Sequence, residues 1–95
     1  MTPLGQDAAE LLAISALSWL VENEELLPIF LGSTGASADD LRLGAKNPEF
    51  LASILDFLLM DDAWIQMFCE TADYPLDFPI RARAALPGGG EVNWT

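Results

Sequence analysis

The chain reads as an all-α protein, a compact orthogonal bundle of five or six short helices. Three observations predict this class. Apolar residues recur at helical spacing along the whole chain. A cap-type residue precedes most apolar runs, as at Asn23, Ser37, Asn47 and Asp61. Proline and glycine punctuate the runs at Gly32, Gly35, Gly44, Pro48, Pro75 and Pro87.

The first helix runs from about Pro3 or Gln6 to Glu22. Thr2-Pro3 supplies a cap and a first-turn proline, although Gly5 weakens that turn. Asp7, Ser15, Ser18 and Glu22 share one arc of the helical wheel. The remainder, including Leu12, Ile14, Ala16, Leu17, Trp19, Leu20 and Val21, is almost wholly apolar, which predicts a central core helix. Asn23 ends it and caps a second helix over about 24–31, with Glu24 and Glu25 at its favourable dipole end. Pro28 requires either a late start or a tight first turn. Gly32 and Gly35 are the two candidate stops.

Ser37 followed by Asp39-Asp40 predicts a short third helix ending near Gly44. Asn47-Pro48 opens the fourth, with asparagine as cap and proline at the first position. Its polar stripe is Glu49, Ser53, Asp56 and Met60; Phe50, Leu51, Ile54, Leu55, Phe57, Leu58 and Leu59 form a broad apolar face. Asp61 or Asp62 caps a fifth helix to Ala72, with Trp64, Ile65, Phe68 and Ala72 inward and Gln66 and Glu70 outward. Tyr74-Pro75 breaks it. A sixth helix opens between Asp77 and Pro79 and ends at Leu86. Residues 1–87 form a single helical domain in this reading, and residues 88–95 a flexible Gly-rich C-terminal tail bearing Trp94.

A shift of 38 residues aligns the two halves. Residues 15–21 fall on 53–59, Asn23-Glu24 on Asp61-Asp62, Leu27 and Phe30 on Ile65 and Phe68, and Asp39 on Asp77. The match lies in apolar and cap pattern. It describes two similar three-helix units with the first and fourth helices packed in the middle.

Composition narrows function mainly by exclusion. The chain of 95 residues has no histidine, one cysteine, four basic residues and fifteen acidic ones, for a net charge of −11. Residues 1–41 carry seven acids and no base. Such a field repels phosphate backbones, so nucleic acid is not an expected partner. Hydrophobic residues make up 52% before the seven glycines are counted, against about 45–50% with glycine included in an average domain. A small domain has a high surface-to-volume ratio, so part of that excess must lie on the surface or against a partner. Exposed alanine, of which there are thirteen, accounts for some of it.

The uncharged run from Leu11 to Val21 is eleven residues, short of the roughly 20 that span a membrane. With no basic n-region, no signal peptide is expected. A lone cysteine excludes an internal disulfide. The expected location is the cytoplasm.

No catalytic, cofactor-binding or metal-ligating residues are singled out, and an enzyme is not expected. General acid–base work without histidine would need a carboxylate pair, a lysine or a tyrosine. The doublets Glu24-Glu25, Asp39-Asp40 and Asp61-Asp62 all fall at helix starts, where backbone donors and the helix dipole explain them. Cys69 lies on the buried side of the fifth helix and reads as a small core hydrophobe. Gly88-Gly89-Gly90 lacks the following Lys-Ser/Thr of a phosphate loop. The partner-binding candidates are Trp94, an anchor-type residue near the C-terminus, and Arg81 and Arg83. The two arginines also suit the end of the sixth helix.

Several stretches together resemble a known family. They are Ala16-Leu17-Ser18-Trp19-Leu20 with Glu24-Glu25-Leu26-Leu27-Pro28-Ile29-Phe30-Leu31, then Asn47-Pro48-Glu49-Phe50-Leu51, Leu55-Asp56-Phe57-Leu58-Leu59, and Ala82-Arg83-Ala84-Ala85-Leu86-Pro87-Gly88. The chain resembles an uncharacterised family, a domain of unknown function, of short helical bacterial proteins. The resemblance implies an all-helical cytoplasmic bacterial protein and no particular activity. The expectation is therefore an acidic protein–protein interaction or regulatory module, binding a protein partner or forming a homodimer. A small apolar-ligand carrier with a pocket lined by Trp19, Phe57 and Trp64 is the alternative, and an acidic nucleic-acid mimic the third.

Overall fold

Local side-chain capping marks the start of four of the six helices. In the computed structural model, which describes residues 5–86, six helices follow one another: α1 (Gln6–Glu22), α2 (Leu26–Thr34), α3 (Ala38–Gly44), α4 (Pro48–Leu58), α5 (Asp62–Ala72) and α6 (Phe78–Ala85). No strand occurs among the described residues. The fold is all-α.

Asn23 Oδ1 accepts from the amides of Glu25 at 3.0 Å and Leu26 at 3.1 Å, opening α2. Helix α2 starts at Leu26, later than the sequence suggests. That start places Pro28 in the first turn, where a missing N–H costs nothing. It runs through Gly32 and stops at Gly35, whose φ of 74° is left-handed. Ser37 and Asp40 form a reciprocal capping box at α3. Asn47 Oδ1 accepts from Glu49 and Phe50 amides at α4, and Asp61 Oδ1 from the Ala63 amide at α5. Asp73 ends α5 in the left-handed region at φ 63°, one residue before Tyr74.

Helix α1 lies at the centre and packs most extensively on α6 and α4, with α2 and α5 also against it. Its seam is built of small residues. Ala9, Ala13 and Ala16 are completely buried beside Leu12, Leu17 and Leu20. Side chains this small bring helix axes toward the short end of the usual 8–10 Å range. The buried arc is narrower than an apolar-all-round helix would give. Leu11 sits among Asp7, Ser15, Ser18 and Glu22 on the wheel and is 65% exposed, and Val21 is also exposed.

Helix α4 follows the expected pattern closely. Leu51, Ala52, Ile54, Leu55, Phe57 and Leu58 are buried, and Met60 is exposed just past the helix end. The first and fourth helices do pack together in the middle. The third and sixth, which the 38-residue shift pairs, sit differently: α6 lies against both α1 and α4, whereas α3 packs chiefly on α4.

Two aromatic runs tie the helices together. Phe30 of α2 meets Phe50 and Phe57 of α4 edge-on at 6.0 and 5.3 Å, and Phe57 stacks on Trp64 of α5 at 4.7 Å. On the other side, Trp19 of α1 meets Phe68 edge-on, Phe68 stacks on Tyr74, and Tyr74 approaches Phe78 of α6. Contacts of this kind add about 0.5–1.5 kcal/mol each beyond burial. No charged or polar side chain is buried among the described residues.

Gly44 is buried where α3 meets α4, and a Cβ there would strike the Phe50 ring at Cδ2, Cε2 and Cγ. Gly44→Ala is expected to cost about 1–3 kcal/mol through overpacking, measured by urea unfolding. Gly32→Ala has nothing within 4 Å to meet and should instead be stabilising by about 0.5–1 kcal/mol in the same assay.

Candidate functional site

The exposed side of α1 forms one wall of an open cleft. Ile14, Ser15, Ser18, Trp19 and Glu22 line it from α1. Met67, Thr71 and Ala72 line it from α5, and Asn23, Glu24 and Glu25 from the α1–α2 connection. Its volume is about 770 Å³, within the usual range of binding clefts. Ile14, Trp19, Met67 and Ala72 make it apolar; the three glutamates make one end of it acidic. Trp19 is half-buried and held edge-on by Phe68 at 5.9 Å.

The acids among the described residues differ in what engages them. Asp40 and Asp61 accept backbone amides, and Asp39 pairs with Arg42 at 3.6 Å. These carboxylates are accounted for by capping and local pairing. The Glu24-Glu25 doublet departs from that pattern. Asn23 supplies the side-chain cap of α2, and Glu25, in the N-cap position, makes no side-chain cap bond. Among the described residues, no hydrogen bond or ion pair engages the side chains of Glu22, Glu24 or Glu25.

Arg81 and Arg83 are brought together on α6 but point to different partners. Arg83 Nε donates to Asp56 Oδ1 of α4 at 2.6 Å, bridging two helices with a half-buried guanidinium. Arg81 lies 3.6 Å from Asp77 and 5.0 Å from the centre of the Phe78 ring. Both sit in part-buried positions, and neither lines the α1–α5 cleft. Trp94 and the rest of the 88–95 tail lie outside the described residues.

Cys69 is buried, as its helix position suggests. Its Sγ donates to the Pro75 carbonyl at 3.6 Å. Beside it is a smaller open recess of about 370 Å³ bounded by Gln66, Glu70, Tyr74 and Leu76. Among the described residues, no group of three cysteine, aspartate or glutamate side chains converges as a metal site.

Sequence reasoning placed Ile14 and Trp19 on a core face, gave Trp19 a pocket only in the ligand-carrier alternative with Phe57 and Trp64, and did not locate the cleft between α1 and α5. One signal was present: Ser15, Ser18 and Glu22 form the hydrophilic arc between which Leu11 lies, and Ile14 and Trp19 flank that arc. Tryptophan, with an apolar body and a polar N–H, suits such a boundary between buried and wet surfaces.

A family model described as "protein of unknown function (DUF3572)" matches residues 6–89. The chain belongs to this family. The match covers all six helices, so the whole described bundle is the DUF3572 domain. No curated protein and no solved structure matches the chain. No helix among the described residues of this DUF3572 domain is long and apolar enough to cross a membrane.

Burial, and secondarily the charge of Asp77, push the Cys69 thiol above its ordinary value of 9.0. The folded state therefore holds this proton more tightly than the unfolded state. That contribution is complete below the ordinary value and is lost as pH rises through the folded value. The expected outcome is a Tm that falls more steeply for the parent chain than for Cys69→Ala between about pH 8 and pH 10. Equal slopes would contradict it.

Proposed function

We propose that this chain is a protein–protein interaction module that receives an apolar segment of another protein in the α1–α5 cleft. The observation that supports this reading is the open cleft itself, where Ile14, Trp19 and Met67 meet a rim of Glu22, Glu24 and Glu25. Among the described residues, eight large apolar side chains with substantial exposure, including Leu11, Val21 and Met67, are consistent with the apolar excess in composition. In this reading the chain has no catalytic role and works in the cytoplasm. The partner is a different protein rather than a second copy, because a charge of −11 per chain opposes self-association. Arg81 and Arg83 do not line the cleft, and in this reading they and Trp94 have at most a supporting part in binding.

The apolar-ligand carrier ranks second. Phe57 is buried and stacked on Trp64 rather than opening onto a cavity with Trp19. A nucleic-acid mimic ranks third, because caps already occupy Asp40 and Asp61.

The test is affinity capture from the native cell with quantitative mass spectrometry. The intact chain is compared with Met67→Glu in the cleft and with Leu43→Glu, which alters a side chain 69% exposed on α3. Circular dichroism confirms that both variants are folded. A captured protein is expected to be lost with Met67→Glu and retained with Leu43→Glu. An identical captured set for all three chains would remove the cleft reading.

A further inference from the structure

Resting on the cleft reading above, we infer that the occupant is a basic amphipathic helix. Its apolar side chains meet Ile14, Trp19 and Met67, and its lysines or arginines meet Glu22, Glu24 and Glu25.

The charge argument comes first. Glu22 lies in the last turn of α1, where the helix carbonyls already present negative potential, and no basic residue lies in that turn. Capping does not explain a carboxylate at that position. Glu24 and Glu25 suit the start of α2, but Asn23 does the side-chain capping. Residues 1–41 contain no base, so the stretches flanking these glutamates supply no counter-ion. Basic side chains of a partner supply the charge that these carboxylates and the end of α1 lack. Trp19 is the aromatic side chain that lines the cleft, and aromatic rings attract a guanidinium or ammonium.

The same field selects among occupants. A second copy would bring fifteen acids to the same place. Residues 87–95 contain Glu91 and no base, so the chain's own C-terminal segment has the wrong charge for this rim. Polyphosphate backbones are repelled. A lysine- or arginine-bearing protein segment remains.

Shape selects a helix. The cleft lies between two helices and has no sheet edge to pair an extended backbone, whereas a helix satisfies its own backbone groups. From Ile14 to Glu22 the α1 wall is roughly 12 Å long. That length suits apolar anchors spaced over two turns, followed by basic residues at the acidic end.

The test is a two-dimensional amide NMR titration of the full chain. Four peptides of about 18 residues, long enough to hold a helix, serve as probes. One is an amphipathic Leu/Lys helix; the second and third replace Lys with Gln or Glu; the fourth scrambles the Leu/Lys order. The Leu/Lys helix is expected to shift amides in residues 14–25 and 67–72, with affinity that falls as salt rises. In Glu22→Gln/Glu24→Gln/Glu25→Gln its affinity is expected to drop about tenfold, and the Leu/Glu peptide is expected to leave the cleft unperturbed.

Unchanged affinity in the triple variant overturns the assignment of the three glutamates. Equal binding of the Leu/Gln helix at this cleft overturns the basic partner while leaving the interaction module standing. Equal binding of the scrambled peptide overturns the helix. Concentration-dependent shifts of the same amides without peptide make a second copy the occupant and overturn the inference. If no peptide perturbs these amides in the parent chain, the cleft reading falls with it.

Discussion

Everything in this fold depends on one helix being small where its neighbours press hardest. Ala9, Ala13 and Ala16 are fully buried along α1, and α4 and α6 pack on that helix more extensively than on any other. A chain of this length buries only about 60–65% of the surface its unfolded form exposes. It therefore needs dense packing, and close helix approach supplies it. Ala52 of α4 and Ala82 of α6 continue the same theme, each at least nearly fully buried. Larger side chains fill the periphery of this seam: Leu12 and Leu20 from α1, Ile54 and Leu55 from α4, Phe68 from α5.

Packing α1 on one arc has a consequence on the other. Leu11 and Val21 face outward, and the gap between α5 and the side of α1 that carries Ile14, Ser18, Trp19 and Glu22 becomes the cleft. The acidic residues then differ in meaning by position. Those at α3 and α5 satisfy amides that the backbone leaves bare. Those beside the cleft carry no comparable structural duty. The bases are distributed unequally as well: Arg83 bridges α6 to α4 through Asp56, and Arg42 pairs within α3. Neutralising the cleft rim should therefore leave the fold intact.

Much of the fold was legible in the sequence because its signals are local. A cap, a proline or a glycine acts on the turn beside it, so Ser37 and Asn47-Pro48 marked helix starts correctly, Asp61 rather than Asp62 is the cap of α5, and Asn23 caps an α2 that starts two residues later than the sequence suggests. Where two local signals competed, only geometry could decide. Pro28 tolerated a late start, and Gly32 yielded to Gly35, which alone took the left-handed conformation. The apolar face of α4 was readable because its polar stripe is unbroken. Helix α1 was harder. Its apolar residues extend nearly round the wheel, and nothing local says which arc α4 and α6 will cover. Trp19 and Ile14 were therefore assigned inward, and the cleft they border was not visible before the neighbouring helices were in place. The pairing of Arg83 with Asp56, 27 positions apart, was beyond reach for the same reason.

The small-residue seam is tested most directly by enlarging it. Urea unfolding of Ala13→Leu, set against Ala8→Leu on the exposed side of the same helix, separates packing from helix propensity. The seam account predicts a loss of about 1–3 kcal/mol or outright failure to fold for Ala13→Leu, with Ala8→Leu within about 0.5 kcal/mol of the parent. An Ala13→Leu chain as stable as the parent would show that α1 is not held at close range, and the arrangement of cleft and core derived from it would not stand.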